Sequence, residues 1–174
     1  MPKLPMGDIG PCEVAWNYGG SPEVKLSPFL GKVSLSMKDS VSKVFEEGYG
    51  DAAVDAVFAG SVLELSVPMT RSTLAQLNVV WPGSALSGNV LTLRNKCGTD
   101  MYVDAKAVVI KPMRDGVVST TKSEWIHLYK VHPYREFEIG FDRSGQRVLT
   151  VKCMVFPDMT SGMNGEFGTI GVTP

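Results

Sequence analysis

Residues 32–83 read KVSLSMKDSVSKVFEEGYGDAAVDAVFAGSVLELSVPMTRSTLAQLNVVWPG. Lys32, Ser34, Ser36 and Lys38 alternate with Val33, Leu35 and Met37, so residues 31–38 predict a strand with one packed and one wet face. Ser61–Met69 repeats the pattern, with Leu63, Leu65 and Val67 inward and Glu64 and Ser66 outward beside Val62. Between the two, Asp39–Gly60 is acidic and broken by glycines. It is too long for a hairpin turn, and connections beyond about 12–15 residues are usually functional or disordered. Yet it carries Val44, Phe45, Tyr49, Val54, Val57 and Phe58, too many apolar groups for a segment meant to stay in water. A long loop awaiting a partner is the expectation. After the second strand, Thr70 offers an N-cap and Leu74, Leu77 and Val80–Trp81 recur at helical spacing. Pro82-Gly83 then stops the helix. Val62, Leu63, Leu65, Leu74 and Leu77 are expected to be core.

Working outward, residues 1–11 hold two glycines and several prolines and suggest an extended arm. Cys12–Tyr18 reads as a strand closed by the turn Gly19-Gly20-Ser21-Pro22, and Val24–Pro28 as a short one. Downstream the signal is all strand. Val90–Arg94 is short, and Tyr102–Ile110 sets Val103, Ala105, Ala107 and Val109 against Asp104 and Lys106. Pro112–Gly116 forms a turn with Asp115-Gly116 at its tip. Glu124–Val131 and Tyr134–Phe141 pair through His132-Pro133, and Arg147–Phe156 is the longest strand. From Pro157 to Pro174 a Gly- and Met-rich tail is expected to be flexible. The sum is one mainly β domain over residues 1–174. Its expected fold is a β-sandwich or partly open barrel of seven or eight strands with one flanking α-helix.

At 174 residues such a domain buries a core without disulfides or metal. Lys plus Arg total 17 against 18 Asp plus Glu, a formal charge of −1, which argues against a clustered basic surface that grips nucleic acid. Cys12, Cys97 and Cys153 are odd in number and widely spaced, with no C-x-x-C, and read as reduced thiols. No apolar signal region and no run of 18 apolar residues occurs, so a soluble chain made in a cytosol is expected.

No constellation for chemistry assembles. His127 and His132 flank one strand end and Cys153 lies on a later strand, but a nucleophile pair needs them adjacent, with a third group orienting the imidazole. Glu46, Glu47, Asp51 and Asp55 invite a calcium reading, yet their spacing fits no EF-hand and such runs are usually solvated. The late glycines around Gly165–Gly171 precede no helix and match no phosphate loop. No cofactor and no metal is expected, and no catalytic residue.

Tyr49-Gly50-Asp51-Ala52-Ala53-Val54-Asp55, then Gly60 opening a strand, then Val67-Pro68-Met69 leading into Leu74-Ala75-Gln76-Leu77, resemble the tail-tube proteins of tailed bacteriophages. The turn and strand near Cys12-Glu13-Val14 fit as well. The likeness covers Gly48–Pro82 best and the C-terminal half only by strand count. It implies a virion protein assembled in the host cytoplasm as hexameric rings stacked into a hollow tail tube, a passive conduit for DNA during ejection. Each subunit would give four strands to a common inner barrel. Ser34, Ser36, Lys38, Glu64, Ser66, Asp104 and Lys106 would face the lumen. Asp39–Gly60 would be the ring-stacking loop, with Val44, Phe45, Glu46, Glu47, Tyr49, Asp51, Asp55 and Phe58 as its contacts. About 24 strands at about 4.8 Å spacing and a tilt of roughly 40° would leave a bore near 38 Å, which admits a duplex without gripping it. Further partners would be tape-measure, baseplate or tail-tip proteins and a sheath, with no membrane involved.

The same ring would serve the inner tube of a contractile injection or type VI secretion-like device, which differs in cargo. A β-sandwich binding module or capsid decoration protein would call for exposed aromatics clustered on a face, whereas Trp16, Trp81 and Trp125 are scattered. An enzyme would need a pocket with perturbed acids or a histidine site.

Overall fold

A computed structural model describes residues 11–26, 32–45, 47, 53–70, 73–94, 97–134, 149–160, 162 and 164–171. Strands β1 (Cys12–Trp16), β2 (Val24–Leu26), β3 (Ser34–Phe45) and β4 (Ala53–Met69) precede helix α1 (Leu74–Val80). The hairpin β5 (Ala85–Ser87) and β6 (Val90–Thr92) follows, then the one-turn helix α2 (Met101–Asp104). Strands β7 (Lys106–Arg114), β8 (Val117–Val118), β9 (Ile126–Pro133), β10 (Leu149–Phe156) and β11 (Gly168–Ile170) complete the chain, with a 3-10 turn at Lys122–Glu124. One antiparallel sheet runs β2-β1-β7-β9-β10-β4-β3. Strand β11 joins the same edge of β9 that β10 uses, pairing Gly168–Ile170 with Leu128–Ile126 while β10 takes Lys130–Pro133. The fold is mainly β, a sheet curled into a partly open sandwich with helices on its flanks.

Period-2 patterning builds the core. Val14, Trp16, Leu63, Leu65, Val67, Val108, Leu128, Leu149, Val151, Cys153 and Val155 all point to one side and are buried there. Helix α1 closes one end. Thr73 Oγ1 accepts from the Gln76 N–H (3.2 Å) and the Gln76 side chain accepts from the Thr73 N–H (2.9 Å), a reciprocal capping box. Gln76 Nε2 also donates to the Lys25 carbonyl at 2.7 Å, tying the helix to β2. The cap is therefore Thr73, not Thr70. The helix buries Gln76 and Val80, with Leu77 against the core, whereas Leu74 is exposed. Val62 is exposed too, because it occupies the outer row of β4; both depart from the core assignment.

Other expectations change for identifiable reasons. Within Asp39–Gly60, Asp39–Phe45 and Ala53–Gly60 are strand rather than loop: β3 and β4 pair from Ser34↔Ser66 out to Phe45↔Ala53. The backbone ladder carries strand geometry outward, and the pairing adjusts at two bulges. Gly60 sits at the first of them with φ +132°, a conformation that L side chains rarely adopt. Among the described residues β4, at 17 residues, is the longest strand, not the one ending at Phe156. Residues 102–104, read as strand, are helical because the Asp100 side chain accepts from the Tyr102 N–H at 2.9 Å and caps a turn. Val103 is consequently exposed and Asp104 leaves the sheet.

His132-Pro133 is strand rather than turn. Pro133 pairs with Cys153 on one side, and β7 has already ended on the other, so its missing N–H breaks no ladder. The proposed tail is partly sheet, since β11 pairs with β9 and Asp158 bridges Glu166. Gly168 permits this, as a Cβ there would strike the His127 carbonyl. The turn at Asp115-Gly116 is present between β7 and β8, with both residues at positive φ, although Pro112 lies within β7. The N-terminal arm over residues 1–10 and the strand expected at 135–141 lie outside the described residues.

Candidate assembly surface

The hairpin arm is the first half of the surface. From Lys38 to Phe45 the paired strands rise about 25 Å. All residues of β3 beyond Leu35 are exposed, as are those of β4 before Gly60. Two strands alone are marginal in water, and this pair is apolar on both faces. Val41, Val44, Phe45, Val54, Val57 and Phe58 are each 42–62% exposed. Covering them would contribute on the order of 1 kcal/mol apiece. Of the contacts expected here, Val44, Phe45, Asp55 and Phe58 lie on the paired strands and Glu47 is exposed beyond them. Glu46, Tyr49 and Asp51 lie outside the described residues. Asp55 stands opposite Val44, and its carboxylate accepts from the Ala56 N–H at 2.7 Å.

The second half is the polar side of the sheet. Partners in an antiparallel ladder point the same way, so Ser34, Ser66 and Lys152 form one row across β3, β4 and β10. Ser36, Glu64, Met154 and His132 form the next. Lys38 continues the face beside Val62. The structure thus brings together Ser34, Ser36, Lys38, Glu64 and Ser66. Periodicity alone did not add Lys152 and His132, which the strand order supplies. Asp104 approaches the same side from α2, near enough to His132 to favour its protonated form. Lys106 is exposed at the start of β7, opposite Val131 where the pairing with β9 is irregular, and it lines a cleft together with Asp104 and His132. Helix α2 itself packs on this face through Tyr102, whose ring meets Phe156 edge-on at 6.1 Å and lies under Lys130 Nζ at 5.4 Å.

No protein-family model and no curated protein matches this chain.

Cys153 belongs to the core row while His132 pairs with Met154 on the opposite face, so the two cannot form a nucleophile pair. Burial pushes the Cys153 thiol up to about 12 and keeps it protonated. Burial lowers the pKa of both His127 and His132; for His132 its hydrogen bond with Pro133 and the Asp104 charge oppose that shift. His127 packs edge-on between Tyr18 and Tyr129, at 5.8 and 5.3 Å. Beside it, Lys111 Nζ lies 4.9 Å from the Tyr18 ring centre and 4.7 Å from that of Trp125. Glu13 accepts Lys25 at 3.1 Å and lies 3.9 Å from Lys111. Here the aromatic rings take up the lysine already present. The Thr160 backbone N–H, donating to Asp158 at 3.0 Å, holds that carboxyl below its usual range and fixes the start of the C-terminal segment.

Proposed function

We propose that this chain is the subunit of a stacked ring tube of the phage-tail kind, a passive conduit for DNA. The hairpin arm makes contacts between copies, and the face carrying Ser34, Ser36, Glu64, Ser66 and Lys152 lines the bore. The observation that carries the reading is the arm. A two-stranded ribbon with large apolar groups on both faces is poorly stable in water and gains its cover from neighbouring protein. The polar face adds support, since its serines and mixed charges offer phosphates neither strong capture nor strong repulsion. Rings of six, a virion location, and tape-measure, baseplate or tail-tip partners follow from the resemblance of Gly48–Pro82 to tail-tube proteins.

The test is the state of the purified full chain as its concentration is raised, read by light scattering and negative-stain imaging. Rings or open-ended tubes are expected. A monodisperse monomer at the highest soluble concentration would overturn the proposal.

A further inference from the structure

The sandwich is open along one seam, and its walls are apolar. On one side stand Leu35 and Met37 of β3 with Leu63 of β4; on the other stand Ile126, Phe167 and Ile170 of β9 and the β11 segment. The cleft has a volume of about 480 Å³. Its rims are wet: Met37 is 58% and Ile170 79% exposed. Glu166 supplies the acidic group of the lining.

Register shows which side of the arm continues this wall. Leu35, Met37, Asp39, Val41, Lys43 and Phe45 alternate along one face of β3, and Ser61 Oγ donates to Asp39 Oδ1 at 2.6 Å on that face. Phe58 stands opposite Val41, Ala56 opposite Lys43 and Ala53 opposite Phe45. On this face the polar Asp39–Ser61 pair separates the apolar seam wall from the apolar outer arm, which carries Lys43 as its cation. The arm cannot reach its own seam, because the same two strands form the seam wall and then lead away from it in an unbroken pairing. Folding back would rupture the ladder near Ser40↔Gly60. An arm that seats in this seam is therefore that of another copy.

We infer that the Val41–Phe45–Phe58 face of one copy's arm seats in the seam between β3 and β11 of a neighbour, with Lys43 meeting Glu166 at the rim. This rests on the proposed assembly through the arm and adds the surface that receives it. The match is twofold. Apolar ribbon meets apolar cleft, and a cation meets a carboxylate; neither Lys43 nor Glu166 has an ion-pair partner among the described residues.

Cysteine pairing tests the seat. In a Cys97→Ser background, Val41→Cys, Phe45→Cys or Phe58→Cys is combined with Ile170→Cys, the full chain is assembled, and it is oxidised gently. A disulfide needs Cβ atoms about 3.5–4.5 Å apart, so at least one combination should give a ladder of covalent multimers on a non-reducing gel. Wild-type chains that assemble normally while none of the three combinations gives a ladder would overturn the seam and leave the tube reading standing. Wild-type chains that never assemble would overturn the tube reading and this inference with it. Charge reversal gives an independent readout. Lys43→Glu and Glu166→Lys should each raise the concentration needed for assembly roughly two- to five-fold, and the double reversal should restore it. Two single effects that simply add in the double variant would count against the pairing.

Discussion

Gln76 serves two purposes at once, and substitutions separate them. Thr73→Ala removes the hydroxyl that accepts from the Gln76 N–H and should cost about 1 kcal/mol, seen as a lower midpoint in denaturant. Gln76→Glu keeps an acceptor for the Thr73 N–H but replaces the amide that donates to the Lys25 carbonyl. A carboxylate facing a carbonyl in a buried setting should cost more, about 2–3 kcal/mol. If Gln76→Glu proved as stable as wild type, the tie between α1 and β2 would carry no weight. The histidines set a pH dependence. The folded state lowers both pKa values, so it binds fewer protons than the unfolded chain. Their stabilisation is complete above about pH 6.5 and is lost as pH falls through that value toward the lower folded pKa values. The drop in melting temperature between pH 7.5 and pH 5 should be smaller in His132→Gln than in wild type. An equal drop in both would place the acid sensitivity elsewhere.

At the scale of elements, the arm is where substitution and assembly part company. Phe58→Asp changes a side chain that touches water, so the unfolding free energy of the dilute subunit should stay within about 0.5 kcal/mol of wild type while tubes disappear. Normal tubes from Phe58→Asp would remove the arm from the assembly surface. The arm's apolar content was legible in the sequence, and its strand character was not. Alternation is plain in Val33–Met37 and Leu63–Val67 because one face is buried there. Beyond Lys38 neither face is buried in the subunit, so hydrophobic groups fall on both sides and the period blurs. Helix α2 escaped for a different reason: Asp100 caps a single turn, and local hydrogen bonding won over the alternation of Val103 and Ala105. The wet face was visible strand by strand. Its continuation to Lys152, and to the buried His132 in the next row, depends on β10 lying between β4 and β9, a nonlocal pairing that periodicity does not encode.

For the whole molecule, the balance of forces at the copy-to-copy contact determines how assembly responds to solvent. The surfaces assigned to it are mostly aliphatic and aromatic, with a few charges at their margins. Apolar association weakens on cooling and strengthens in salts excluded from protein surfaces, whereas exposed ion pairs weaken as ionic strength rises. Assembly of the full chain should therefore be favoured on warming from about 5 to 30 °C and by sulfate, and moderate sodium chloride should leave it intact. Light scattering at fixed protein concentration measures all three. On the proposed assembly copies stabilise one another by mass action, so the melting temperature should also climb with protein concentration under assembling conditions. In Phe58→Asp, where the arm is disabled, that climb should vanish. Tubes that fall apart in moderate salt but tolerate cold would mean that charge pairing, not covered apolar surface, holds the copies together.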